Sequence, residues 1–418
     1  MYEITETATI DEALCRRLDA TDPLGVWRDA FLLPDGMIYL DGNSLGALPR
    51  TAAARINKVV NEQWGRGLVR SWNEAGWMDA PRRLGAKIAP LLGVDADEVV
   101  VADSTSVNLF KLLVAGMRLR PDREIILSEL GNFPTDIYVA RGVERLLEHA
   151  QVKMVADGSL MDAVDDAVAI VLLTHVDYKT SRMHDLNAVV RKVHEQGGLV
   201  LADLSHSVGA VPLDLHTCGV DLAVGCGYKY LNGGPGAPAF MYVAQRHQAA
   251  LDQPISAWIG HARPFDFSIE YKPAEDISRL LSGTPPILSM ATLEAALDIW
   301  QHIDLSLVRA KSQAMSELFI RVFESQLAGS SVTLASPRDA AQRGSHLSFR
   351  HPEGFAVVQA LMEQNIIGDF RAPDLMRFGF APLYLTFRDV WKAVDTLAQI
   401  LKTRSWDQPR FRQRRAVT

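Results

Sequence analysis

Between residues 98 and 243, short apolar runs alternate with amphipathic stretches of helical period, and no other feature restricts the fold as much. Runs at 98–102, 124–128, 152–155, 168–174, 199–203 and 220–226 read as strands. The stretches 107–118, the segment from Pro134 to about 149, and 185–196 read as the helices between them. A last run, 237–243, follows a turn too short for a parallel crossover, so it is expected to lie antiparallel to its neighbour. The fold class this implies is α/β: a doubly wound, mostly parallel seven-stranded sheet with helices on both faces. Ligands of such sheets belong at the carboxyl ends of the strands, where Ser106, Phe133, Thr174, Asp203 and Lys229 fall.

The flanks follow a different pattern. A helix is expected over 11–20 with Asp11 as its cap, then a strand running into a turn over 37–46. Pro49 reads as a first helical residue, with the helix stopped near Trp64 by Gly65. A loop-like, aromatic stretch follows to Trp77, and a further helix ends at Leu92 before Gly93. Past about 285, helices at 288–302, 304–328, 354–364 and 387–402 mix with short strands near 331–335, 345–350 and 366–379. The expected organisation is a large α/β domain over 49–303 and a small α+β domain over 304–418, with segment 1–48 packing on the latter.

Composition narrows the class of function. The chain has 418 residues, enough for two domains, and a formal charge of −7 without a basic region. Nothing there favours nucleic acid or an acidic membrane surface. Cys15, Cys218 and Cys226 show no CxxC spacing, which speaks against a zinc site or a disulfide framework. No apolar run reaches membrane-spanning length, and Met1-Tyr-Glu-Ile-Thr-Glu6 lacks the character of a signal peptide. Cytoplasmic residence is the default expectation, and the arginines between 410 and 415 read as a solvated tail.

The chemistry concentrates around one lysine. Lys229, flanked by Tyr228 and Tyr230, sits between the apolar run 220–224 and the glycine-dense turn 232–236. An ammonium is disfavoured in apolar surroundings unless it is chemically employed, and desolvation makes it a nucleophilic amine of the kind that forms Schiff bases. Upstream, the run 198–203 ends in Asp203, with His206 three residues on. A carboxylate on one strand and a lysine after the next is what a pyridoxal 5'-phosphate (PLP) site requires: the amine holds the aldehyde and the carboxylate pairs with the pyridine nitrogen. Around them, Asp103-Ser-Thr-Ser106 opens a helix with hydroxyls, suited to a phosphate and equally to an ordinary cap. Phe133-Pro-Thr-Asp136 sets a ring beside a carboxylate, the arrangement of a site or of a hydrophobic staple with a capping Asp. His175 and His184 lack partners at metal-ligand spacing, so no metal is expected.

Asp203-Leu-Ser-His-Ser-Val-Gly209 with Gly227-Tyr-Lys-Tyr-Leu-Asn-Gly-Gly-Pro-Gly236 resembles the cofactor region of kynureninases, members of the aspartate-aminotransferase-like, fold type I PLP enzymes. Tyr39-Leu-Asp-Gly-Asn-Ser-Leu-Gly46, Phe133-Pro-Thr-Asp136, Trp258-Ile-Gly-His261 and Gly283-Thr-Pro-Pro-Ile287 extend the likeness in order along nearly the whole chain. The Tyr–Lys pair followed by Leu-Asn-Gly-Gly separates it from cysteine desulfurases. The resemblance implies PLP-dependent hydrolysis of L-kynurenine to anthranilate and L-alanine, by a homodimer with active sites at the subunit interface. It implies Lys229 on the cofactor aldehyde, Asp203 on the pyridine nitrogen, His206 nearby and Phe133 stacked on the ring. Thr105, Ser106, Asp136, Thr174 and Tyr228 would surround the cofactor, with Trp258 and Thr284 entering from the partner subunit. Tyr228 is the expected proton donor, and Arg377 the clamp on the substrate carboxylate, for which bidentate geometry suits arginine. Trp64, Gly283 and Thr284 would border the aryl pocket. Animal relatives carry Ser-Asn at the last two positions, so kynurenine is expected to be preferred over its 3-hydroxy form. The alternatives are another fold type I activity, such as a cysteine lyase, desulfurase or aminotransferase, or a non-catalytic effector domain.

Overall fold

The computed structural model describes the chain except residues 1, 3, 5–9, 328 and 414–418. Most of the Met1-to-Glu6 segment, and Arg414 and Arg415 of the basic tail, therefore lie outside the described residues.

Seven strands form the main sheet, in the spatial order Val99–Ala102, Ala239–Val243, Leu222–Gly225, Leu199–Asp203, Val168–Thr174, Ile125–Glu129 and Gln151–Val155. All neighbouring pairs are parallel except those made by Ala239–Val243, which runs antiparallel to both neighbours, as its short preceding turn requires. Side chains alternate between two apolar clusters, one on each face: Val200 and Ala202 point into one, Leu199 and Leu201 into the other. Helices Ala80–Leu92, Leu186–Glu195 and Ile287–Trp300 cover the first face, and Thr105–Leu119 with Pro134–Leu146 the second. Burial on both faces explains why these strands read as continuous apolar runs.

A second, four-stranded antiparallel sheet orders Thr333–Leu334, His346–Arg350, Leu375–Gly379 and Asp369–Arg371. Helices Leu305–Leu327 and Phe387–Thr403 pack together beside it. The N-terminal helix Glu12–Ala20, capped by the Asp11 carboxylate on the Leu14 N–H, packs on Phe387–Thr403. Strand Ile38–Tyr39 pairs in parallel with Ile366–Ile367.

Three local expectations are corrected. Pro49 is not a first helical residue: Leu48–Pro49 pairs antiparallel with Phe31–Leu32, and the helix begins at Ala52. Pairing with a remote strand overrode the local preference of proline. The helix does not stop at Gly65 but widens into a π-helix over Val59–Gly67, then continues as short helical turns to Glu74 where a loop was expected. The lysine strand ends at Gly225, so Lys229 lies four residues beyond it in a turn that Asn232, Gly234 and Gly236 complete at positive φ.

Candidate active site

A cavity of about 250 Å³ opens at the carboxyl ends of the central strands. Each part of its wall arrives for a local reason. Asp203 is the last residue of its strand, buried, and its carboxylate accepts the Ser205 N–H at 2.7 Å. Thr174 ends the neighbouring parallel strand, directly opposite Asp203 in register. Thr105 and Ser106 form the first turn of helix Thr105–Leu119, capped by Ser104 on the Val107 N–H. Buried Lys111 steadies the entry to that helix, donating to the Asp103 carboxylate at 2.6 Å and to the Leu280 carbonyl at 2.7 Å. Phe133 precedes helix Pro134–Leu146 and Asp136 lies in its first turn.

The Lys229 turn is fixed from the N-terminal segment. The Gly46 N–H donates to the Tyr228 carbonyl at 2.8 Å, and the Asn232 amide to the Ala47 carbonyl at 3.1 Å. A side chain on residue 46 would collide with the Lys229 carbonyl, which accounts for the glycine there. Lys229 is half-buried, with its Nζ 5.9 Å from the centre of the Phe133 ring and 5.8 Å from that of Tyr228.

Electrostatics set the protonation states. Burial, reinforced by the Asp203 carboxylate, holds Asp136 well above the usual carboxyl range, against the pull of Lys229 and the Thr174 hydroxyl. Burial raises the Tyr228 phenol, with Cys226 and Asp203 adding to the effect, so it stays protonated. Burial pushes His206 well below its ordinary value, and the charge on Lys229 adds to that. His206 faces buried His346 at 5.5 Å between rings, and its Nδ1 has no hydrogen-bond partner. His346 is likewise lowered by burial, to about 3.

Thr105, Ser106, Phe133, Asp136, Thr174, Asp203, His206, Tyr228 and Lys229 thus share one wall. The other expected residues do not. Arg377 lies behind Tyr178, to whose carbonyl its Nη1 donates. It is buried rather than a surface ion pair, and the edge expected to clamp a substrate is taken by Asp369: Nε donates to Oδ1 at 2.7 Å and Nη2 to Oδ2. A buried guanidinium needs a counter-charge, and Asp369 is its Cα partner across the strand pair. Trp64 is 56% exposed on the π-helix, Trp258 is 36% exposed, and Gly283 and Thr284 are exposed in an irregular segment. Sequence reading missed Tyr178, whose ring meets Phe133 edge-on at 5.1 Å, and Asn132, which accepts from the Thr174 hydroxyl. Tyr178 belongs to an irregular loop with no periodic signal. Asn132 directly precedes Phe133, and its only sequence signal is that adjacency.

The amine, the buried carboxylate, the aromatic ring, the hydroxyls at a helix N-terminus and the unpartnered His206 nitrogen make a donor set that fits a phosphorylated pyridine aldehyde. Comparison with known proteins agrees. The family model of the Kynureninase C-terminal domain matches residues 308–397. A kynureninase from Pseudomonas fluorescens is 49% identical over 410 residues, covering 97% of this chain and 99% of its own. One from Burkholderia mallei (strain SAVP1) is 50% identical over 416 residues, covering 98% of this chain and 100% of its own. Among solved structures, a C-DES mutant with glycine covalently linked to its PLP cofactor gives a TM-score of 0.77 at 19% identity, covering 89% of this chain and 98% of that one. An apo cysteine desulfurase from Thermococcus onnurineus NA1 gives 0.74 at 16% identity, covering 90% and 98%. The architecture is therefore that of the fold type I PLP enzymes. The sequence likeness is far narrower than this shared fold, holds at about half identity from end to end, and settles the family: the chain belongs to the kynureninases.

Proposed function

We propose that this chain hydrolyses L-kynurenine to anthranilate and L-alanine with PLP held in the Lys229 cavity. The observation that carries the reading is the meeting of Lys229, Asp203 and Phe133 on one cavity wall in a chain half identical to named kynureninases. When bound, PLP supplies the electron sink for removal of the substrate's α-proton and for cleavage of its Cβ–Cγ bond after water adds to the γ-carbonyl.

The protein's part is to bind, orient and move protons. Lys229 would hold the aldehyde carbon until the substrate amine displaces it, and the freed amine would then carry the proton to and from Cα. Asp203, buried and oriented by the Ser205 N–H, would pair with the ring nitrogen and keep it protonated. Asp136, raised by burial and by the neighbouring Asp203 carboxylate, stands beside it as a second carboxyl group of the cavity. Phe133 would lie against the ring with His206 beside it, and Thr105 and Ser106 would take the phosphate at the helix N-terminus, with Thr174 in the same lining. Tyr228, kept neutral, donates the proton that completes the alanine methyl group. Arg377 meets the substrate carboxylate.

The working unit in this reading is a homodimer in the cytoplasm, with Trp258 and Thr284 completing the partner's site and Trp64, Gly283 and Thr284 bordering the aryl group. Exposed Leu68, Val69, Phe265, Phe267 and Ile269, in the same two segments as Trp64 and Trp258, support an interface there. Few polar groups border the aryl ring, so kynurenine should outcompete its 3-hydroxy form. The division into residues 1–48, 49–303 and 304–418 belongs to the same reading. Incubation with kynurenine, followed by anthranilate fluorescence and alanine, tests the proposal. Release of sulfide from cysteine or cystine with no anthranilate would instead make the chain a lyase like its structural neighbours.

A further inference from the structure

Four titratable groups meet where the N-terminal segment packs on the small sheet: Asp369 and Arg377, both buried, and Asp41 and Arg371, both half-buried. Asp369 is the hub. Besides both nitrogens of Arg377, its carboxylate accepts the Ser44 hydroxyl at 2.9 Å and Arg371 Nη2 at 2.8 Å. Ser44 also accepts from Arg377 Nη2 at 3.2 Å, so one hydroxyl braces both members of the pair.

The distribution of partners around the guanidinium is uneven. Its Nε–Nη2 edge is locked by a carboxylate, which fixes the plane of the fork. On its outer edge the acceptors are neutral: Nη1 donates to the Tyr178 carbonyl and Nη2, besides its bond to Asp369, to the Ser44 hydroxyl. An incoming carboxylate makes the stronger, charge-assisted bonds on that edge. Tyr178 lines the Lys229 cavity, so the outer edge lies one residue from it.

We propose that Asp369, braced by Ser44, is the positioning residue that presents the outer edge of Arg377 to the α-carboxylate of the amino-acid substrate. This rests on the reading of Arg377 as the carboxylate ligand. Charge supports it: two arginines against Asp369 leave one positive charge for one substrate carboxylate. The fourth member does not cancel that charge while it holds a proton, and Asp41 Oδ1 is buried without a partner. A merely structural ion pair would need neither the Ser44 brace nor an arginine in excess.

The test uses the full-length holoenzyme, with L-kynurenine as substrate and its decarboxylated amine as a competitive ligand. Asp369→Asn should raise KM about ten- to a hundredfold, the loss expected of one charged hydrogen-bonded partner, while kcat changes less than about threefold. The inhibition constant of the amine, which has no carboxylate, should stay within about twofold, and Asp369→Glu should recover part of the KM. Ser44→Ala should raise KM about threefold or more by the same route, and it decides the matter if Asp369→Asn does not fold. Unchanged KM in these variants, or equal weakening of substrate and amine, overturns the inference. Arg377→Lys runs alongside. If it leaves KM unchanged, the carboxylate reading itself fails. If it raises KM while Asp369→Asn does not, only the positioning role fails.

Discussion

Asp203 is a buried carboxyl group and Asp41 a half-buried one with its Oδ1 enclosed, and their surroundings give them different work. Asp203 accepts a backbone N–H and faces the lysine cavity, where a protonated ring nitrogen is its natural partner. Asp203→Asn should keep the cofactor bound while lowering kcat by about a hundredfold or more, because a neutral amide cannot hold that proton in place. Exchange of the substrate's α-proton with solvent deuterium, followed by NMR, checks this; exchange at the parental rate would contradict the role. Asp41 has no such partner. Burial and the charge on Asp369 raise it to about 7, against the pull of Ser44, Arg377 and Arg371. The other titratable groups facing it do not change charge near that pH: Tyr39, Tyr230 and Tyr384 are raised by burial, and Asp369 is held low by Arg377. Below about pH 7, protonated Asp41 leaves the arginine pair with its excess positive charge; above it, the ionised carboxylate cancels that charge. KM for kynurenine should therefore be flat on the acid side and rise as pH climbs through 7, and Asp41→Asn should flatten the rise. A KM profile in matched buffers from pH 6 to 8.5 reads this directly.

At the level of elements, the carboxyl-end geometry depends on how the strands are tied at their other ends. Asp221, just before strand Leu222–Gly225, accepts from His194 and His247 at 2.8 Å, from Arg246 at 2.8 Å and from the Val200 N–H at 2.8 Å. One side chain thus joins helix Leu186–Glu195, strand Leu199–Asp203 and the helical turn Gln245–Gln248. Burial alone would raise its carboxyl, but these hydrogen bonds overcome that and hold it well below the usual range. A depressed folded value contributes stability above the unfolded carboxyl pKa, near 4, and loses it as pH falls through the folded one. Asp221→Asn should destabilise by roughly 2–3 kcal/mol near neutral pH, the low side for a buried pair because Arg246 and His194 are partly exposed. Chemical denaturation at pH 7 and near pH 2 should show the gap between parent and variant narrowing in acid, with little narrowing yet at pH 4. An equal gap at both pH values would mean that packing, not charge, holds these elements.

For the whole molecule, the proposed sharing of sites between two subunits is open to a direct test, because Trp258 and Thr284 do not line their own chain's cavity. Mixing an inactive Lys229→Ala chain with a Trp258→Ala chain should produce hybrids with one intact site. Activity should then recover to roughly a quarter of the parental value per site if the subunits exchange freely. Sedimentation at micromolar concentration should show a dimer. No recovery from demonstrably mixed dimers would place each site within one chain. The same scale carries the seam between the N-terminal segment and the small sheet: Ile38–Tyr39 pairs with Ile366–Ile367, and Ser44 bonds to Asp369 and Arg377. The segment that holds the Lys229 turn through Gly46 is thus the same one bonded to the small sheet through Ser44.

Periodicity and turn chemistry act over a few residues, and what they control was legible in the chain. The apolar runs ending at Thr174 and Asp203 lie at their expected ends. The short turn before Ala239–Val243 reversed that strand, and Gly93 closed its helix in the left-handed conformation. Chemistry-bearing residues at strand ends and helix starts came together because a parallel sheet aligns those ends on one side. Contacts between distant segments leave no such local trace. Nothing near Arg377 announces that Asp369 fills its bidentate edge, that Tyr178, 199 residues away, takes Nη1, or that Ser44, 333 residues away, braces it. Pro49 became a strand residue because Phe31 lay opposite it, and Lys229 left its strand because Gly46 and Ala47 hold the turn that follows. A buried charge takes whichever counter-charge folding brings within reach, and that choice is made only when the chain has closed on itself.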